Sequence, residues 1–356
     1  MPARTQIWRA AMKKRETELD ILRILALVAV IWVHVGGMES KVLPTSDPHC
    51  QWLIFLKSIM TWEIPVYVMI SGRFFLDPGR EVSFSRIRKA ILRLVAAFVF
   101  WNVLYQLWYI PNGSYDGLNW KGFLSQALIG PYHFWYLYMI AGLYLITPFL
   151  RKIAEDKRLS EYFIGLFFLF SFLTKYAVEL PFLGATLGSM LDSMGMKFVL
   201  GYSGYYVLGY YLHRYPLSDK WECCLYIFGV VLLLSGAAAN TLQSVYDGAY
   251  TEQYTGYTNP NTVIVASAMF TLFVKRVSKV QLSGKMQGWI TKLSEYSFGV
   301  YLIHALVLDF ISAIGLKPSV LHPIVMMPVI TLLTFTVTTV LVALIRKIPA
   351  VGKKIT

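Results

Sequence analysis

The sequence predicts an all-α integral membrane protein, a bundle of about ten transmembrane helices with both termini cytoplasmic. Three observations predict it. Hydrophobic residues make up 56% of the 356 and charged residues only 15%, with a mean hydropathy of +0.53, a balance that soluble domains rarely reach. Apolar stretches recur along the whole chain, most of them near the ~20 residues that cross a hydrocarbon core about 30 Å thick. The basic residues fall in alternate loops, as the positive-inside rule requires of a multi-pass chain.

Ten stretches fit spans: 19–38, 52–73, 91–110, 132–150, 160–176, 198–213, 221–241, 261–274, 293–313 and 323–346. The fifth and eighth are short. A basic segment, 1–18, precedes the first span and carries Arg4, Arg9, Lys13, Lys14 and Arg15. The apolar run after it is too long for a signal peptide and lacks a small-x-small cleavage site, so it reads as an uncleaved first span. With the N-terminus in the cytoplasm, twenty-four lysines and arginines fall inside. Only Lys41, Lys121, Lys175, Lys197 and Lys317 fall outside. An even number of spans returns the C-terminus to the cytoplasm, and the expected location is the inner or plasma membrane. Segment 119–131 is half-apolar, in keeping with an interfacial helix. The loop 242–260 carries Tyr246, Tyr250, Tyr254 and Tyr257, which suit either the interfacial aromatic belt or sugar stacking. No repeat or soluble insertion stands out, so 1–356 reads as a single membrane domain.

The formal charge of +13 does not indicate nucleic acid, because the cations sit in short loops rather than on one basic face. Cys50, Cys223 and Cys224 have no disulfide or zinc spacing, and no metal site is expected.

The residues that stand out are ionisable groups inside the spans, where they are costly and mark functional sites by default. Arg23 and His34 lie eleven positions apart in the first span. That spacing brings them back to nearly one helix face, about 16 Å apart along the axis. Arg23 reads as a snorkelling cation or as a site residue. His34 is too deep to snorkel; it reads as a hydrogen-bonded core histidine or as a general base. Glu63, in the second span at a similar depth, is a candidate to orient His34 or to act as a structural carboxyl beside Pro65. In the ninth span Ser297, Tyr301 and His304 share one face; Tyr301 is a candidate for substrate binding, and His304 for substrate binding, a second acid/base role or a structural one. His133 and Trp135 open the fourth span as belt anchors or as acceptor contacts. Arg73, Arg86, Arg88, Lys89 and Arg93 form the densest basic cluster, set by topology or built as a phosphate cradle, since arginine forks match phosphate oxygens.

Several of these segments together resemble membrane acyltransferase family 3. The Arg–x10–His spacing within LDILRILALVAVIWVH resembles that family's first span, IPVYVMISGRFFL its second, and HFWYLYMIAGLYLITPFLRK its fourth. GYYVLGYYL and YSFGVYLIH resemble two later pieces. The branch it looks closest to is the surface-polysaccharide O-acyltransferases. The resemblance implies transfer of an acetyl or similar acyl group from cytoplasmic acyl-CoA, acetyl-CoA above all, to a hydroxyl of a surface glycan or lipid-linked sugar. It also implies a catalytic role for the histidine at His34 and an essential one for the arginine at Arg23. The chain departs from the family at Ile140, where many members carry glutamate, and at Ala90, where an arginine pair is often found; Glu63 is then a candidate replacement carboxylate. Without the hydrolase-like domain that some members append, this chain is expected to finish the transfer itself or hand the group to a partner. Homo-oligomerisation is open. The rival expectations are a transporter using the buried Arg/His/Glu set and a non-enzymatic subunit of a glycan-assembly complex.

Overall fold

A computed structural model describes residues 15–113, 119–176, 178, 183–349 and 352–356, and of 196–200 the backbone alone. The basic residues expected before Arg15, and Lys197 beyond its backbone, lie outside the described residues. Among the described residues the fold is helical with no strand. In order the helices are α1 (Thr17–Ser40), α2 (Pro48–Ser58), α3 (Glu63–Phe75), α4 (Phe84–Tyr109), α5 (Trp120–Ile129), α6 (Trp135–Glu155) and α7 (Lys157–Lys175). There follow α8 (Gly184–Ser193), α9 (Met196–Arg214), α10 (Asp219–Asp247), α11 (Pro260–Lys275), α12 (Gly284–Ala313), α13 (Pro323–Ile345) and α14 (Gly352–Ile355). A 3₁₀ turn, Tyr132–Phe134, leads into α6.

Each of the ten expected stretches is helical, but they do not all qualify as spans. Seven helices are long and apolar enough to cross a membrane: Thr17–Ser40, Pro48–Phe75, Phe84–Tyr109, Tyr132–Glu155, Asp219–Asp247, Gly284–Ala313 and Pro323–Ile345. The stretches on α7, α9 and α11 do not combine that length with that apolarity. The second span, expected as one helix kinked at Pro65, is broken into two, because α2 stops at Ser58 and α3 starts at Glu63. Pro65 explains the break: it has no N–H to continue a ladder from the preceding turn, but it is tolerated in the first turn of a new helix.

Side chains on the outside of the bundle are apolar. Leu92, Val95, Val99, Val103 and Leu107 recur at helical spacing along α4, each more than half exposed. An aqueous surface would penalise such a stripe, whereas a bilayer accepts it. Inside, α1 packs against α2, α3, α12 and α13, so the helix carrying Arg23 and His34 is central. The most extensive helix pair is α3 with α9. Two glycines allow that approach: a Cβ on Gly72 would meet the Tyr206 carbonyl oxygen at 1.8 Å, and one on Gly209 the Met69 carbonyl oxygen at 2.2 Å. Backbones this close are the usual result of small residues at membrane helix crossings.

Loop 248–259 folds over the His34 end of the bundle. Asn240 on α10 accepts from the Tyr254 N–H (2.9 Å), and Ser244 accepts from the Thr251 N–H (3.1 Å). Lys57 reaches the loop through Tyr250 and Glu252. Tyr250, Tyr254 and Tyr257 are thus turned at least partly inward, while Tyr246 ends α10 largely exposed. The α12–α13 connection is held to the same end by Glu39, which accepts from the Ser319 N–H and hydroxyl, both at 2.8 Å.

Candidate active site

Three histidines from three helical segments converge in the bundle. The His34 ring lies 5.1 Å from His304 and 6.4 Å from His133, centroid to centroid, and His133 lies 5.0 Å from His304. His304 comes from α12, as the face shared by Ser297, Tyr301 and His304 predicts. His133 comes from the turn before α6. It is not a belt residue at the membrane surface: it is 1% exposed, because Tyr301 donates to its carbonyl oxygen and packs on its ring.

Hydrogen bonds fix the protonation of two of the rings. His304 Nδ1 faces the Tyr301 carbonyl oxygen at 2.6 Å; a carbonyl only accepts, so Nδ1 carries the proton and Nε2 the lone pair. The Tyr105 hydroxyl donates to the Leu302 carbonyl (2.9 Å) and accepts from the Leu306 N–H (3.1 Å). Its remaining lone pair faces His133 Nε2 at 3.4 Å, so that nitrogen carries the proton and Nδ1 the lone pair. Neither His304 Nε2 nor His133 Nδ1 has a partner, and both are buried. Buried acceptors left unmet are unfavourable by about 1–3 kcal/mol each. His34 differs from its neighbours in remaining partly accessible. The site is rich in acceptors and short of donors, which is the environment that a hydroxyl group would complete.

From the histidines a column of tyrosines runs toward Arg23. Tyr301 lies 5.4 Å from Tyr136, which lies 6.2 Å from Tyr67, and the Tyr67 hydroxyl donates to the Arg23 carbonyl oxygen (3.0 Å). Tyr144 stacks on Phe75 at 4.5 Å and lies in the electrostatic reach of Arg23, Arg86 and Arg93. Arg23 donates to Ser294 (3.0 Å) and pairs with Asp20 at 3.5 Å. Asp20, Ser294 and Ser297 therefore join the site region; in the sequence Asp20 passes for an ordinary helix-start acid.

The remaining candidates separate. Glu63, 1% exposed, accepts from the Tyr257 hydroxyl (2.6 Å); no hydrogen bond joins it to His34, and its second oxygen has no partner. Trp135 lies between Tyr202 and Tyr257, 5.7 Å from each. The basic cluster divides in three. Arg73 is held by Glu16 (2.9 Å) and Asp77 (2.7 Å), with Arg80 and His213 on the same Glu16 carboxylate. These partners outweigh burial and hold the Glu16 carboxyl below its ordinary value. Arg93 donates to the Thr356 carbonyl oxygen at 2.9 Å. Arg86, Arg88 and Lys89 are exposed and make no ion pair among the described residues. No group of three or more metal-ligating side chains poised for a metal ion occurs among the described residues.

Apolar helices around a buried polar column and paired imidazoles describe a membrane protein with a polar site inside its bundle. The chain belongs to acyltransferase family 3: the family's acyltransferase domain matches residues 16–346. It is a multi-pass membrane acyltransferase. No curated protein and no solved structure matches it.

Proposed function

We propose that the protein is an O-acyltransferase that moves an acetyl or similar group from cytoplasmic acyl-CoA to a hydroxyl of an extracytoplasmic or membrane-borne glycan. The observation that carries this reading is the histidine cluster: a partly accessible His34 beside two unmet imidazole lone pairs. His34 takes the proton of the acceptor hydroxyl, whose oxygen attacks the thioester carbonyl. The tetrahedral intermediate collapses with loss of the CoA thiolate, which recovers the proton from the imidazolium. His304 Nε2 and His133 Nδ1 accept from hydroxyls of the acceptor and orient it.

All ten stretches cross the membrane in this reading, with both termini, Arg23 and the Arg86–Lys89 segment on the cytoplasmic side. The exposed Arg86, Arg88 and Lys89 take the phosphates of CoA, and the tyrosine column guides the pantetheine arm past Arg23. Arg73 acts through the network that shapes this entrance. The acceptor arrives from the opposite side, past Trp135 and Tyr257.

The test is thiol release from acetyl-CoA by purified protein with a glycan acceptor, followed by mass spectrometry of the product. Wild type releases CoA and adds an acyl mass, whereas His34→Ala does neither while eluting as a folded species. Full acylation by His34→Ala, or solute flux with no thiol release, overturns the reading.

A further inference from the structure

A cavity of about 820 Å³ lies between α6, α7 and α9, apart from the tyrosine column. Leu143, Ile146, Phe167 and Phe170 form apolar walls, and Gly142 leaves the side open, since a Cβ there would meet nothing within 4 Å. Leu145 and Tyr138 on its rim are 64% and 52% exposed, so the cavity opens sideways through the surface that faces lipid. Its polar end holds Thr174 and Lys175 at the end of α7, and Lys175 makes no ion pair among the described residues. Tyr202 lines the cavity and lies 5.7 Å from Trp135, which opens α6 two residues after His133.

We propose that this groove holds the hydrocarbon chain of a phosphate-bearing lipid of the extracytoplasmic leaflet, with its phosphate on Lys175, and that this lipid is the anchor of the acceptor. Apolar walls open to a bilayer take a chain without desolvating polar groups. Lys175, the cation among the described lining residues, selects an anionic head. Tyr202 and Trp135 lead from the groove toward the turn that carries His133, the route by which a headgroup hydroxyl enters the site while the chain stays in the groove. The proposal rests on the acyltransferase reading for the purpose of the lipid, but not for its binding.

Photo-crosslinking tests it, using protein in lipid nanodiscs and a long-chain alkyl monophosphate with a mid-chain diazirine. The expected label falls on the α6 and α7 peptides that contain Leu143–Ile146 and Phe167–Phe170. Gly142→Phe, whose Cβ has open space, projects a ring into the groove and abolishes that label, and excess inorganic phosphate does not displace it. Lys175→Gln lowers it about tenfold, the effect of losing one charge-assisted contact, and Lys175→Arg restores it. Label spread over the lipid-facing helices, or undiminished in Gly142→Phe, overturns the proposal. Thiol release with a water-soluble alcohol acceptor separates the two readings. Gly142→Phe retains that activity if only the groove is blocked; loss of labelling with intact thiol release supports the groove, and labelling without any thiol release in wild type overturns only the acyltransferase reading.

Discussion

His34 and His304 face each other with ring centroids 5.1 Å apart and planes inclined by 31°. The pair joins α1 and α12, which pack extensively against each other. One ring is tied by Nδ1 to its own helix, and the other has no hydrogen bond to protein among the described residues. This asymmetry suits a division of labour between a ring that holds and a ring that exchanges a proton.

His304→Ala is therefore expected to lower turnover by about a hundredfold, the scale of a misplaced reacting group. The loss is smaller than in His34→Ala. Steady-state thiol release at saturating acetyl-CoA measures it; equal activity in wild type and His304→Ala contradicts the assignment.

Neutralising Arg86, Arg88 and Lys89 together should raise the KM for acetyl-CoA about tenfold or more with little change in kcat, because these cations are exposed and make no ion pair among the described residues. Arg73→Gln behaves differently. It strands Glu16 and Asp77 and lowers the melting temperature, with CoA affinity changing only as a consequence. Paired KM and thermal-shift measurements distinguish the two groups.

Gly72→Ala puts a methyl group into the Tyr206 carbonyl, where neither backbone can yield cheaply. The variant is expected to fail as a folded monodisperse species in detergent. Gly165→Ala, whose Cβ meets nothing within 4 Å, should be neutral or slightly stabilising.

Burial alone would raise the Glu252 carboxyl, but Lys57 and the Tyr250 hydroxyl outweigh it and hold the group below its ordinary value. A depressed carboxylate contributes stability that is complete above its unfolded pKa of about 4.3 and is lost as pH falls through the lower folded value. Melting temperature should accordingly decline below about pH 4. Glu252→Gln should start lower at neutral pH and show a shallower acid slope.

Much of the fold is legible because lipid-facing helices must be apolar and the loops between them must carry the topology charges. The pattern that identifies α1 and α12 also places His34 and His304 at matching depth. Pro65 shows in the sequence as a kink, but the full break it makes in the second span goes further than a periodic pattern reveals. Sequence reasoning fails where a polar group's partner is remote in the chain. Glu63 finds Tyr257, 194 positions away, rather than the histidine at similar depth. His133 looked like a surface residue because the 3₁₀ turn that carries it inward leaves no periodic trace. The basic cluster looked uniform because acids at Glu16 and Asp77 claim Arg73 only in three dimensions.

The contact of Gly72 and Gly209 with opposing backbone carbonyls makes α3 and α9 one rigid spine. Any breathing that admits or releases a bulky molecule must then take place across the spine's far sides, at the α6–α7 flank or under the loop that Asn240 and Lys57 fasten. Reaction cycles in this protein would be gated at its periphery, while the imidazoles keep a fixed position relative to the spine.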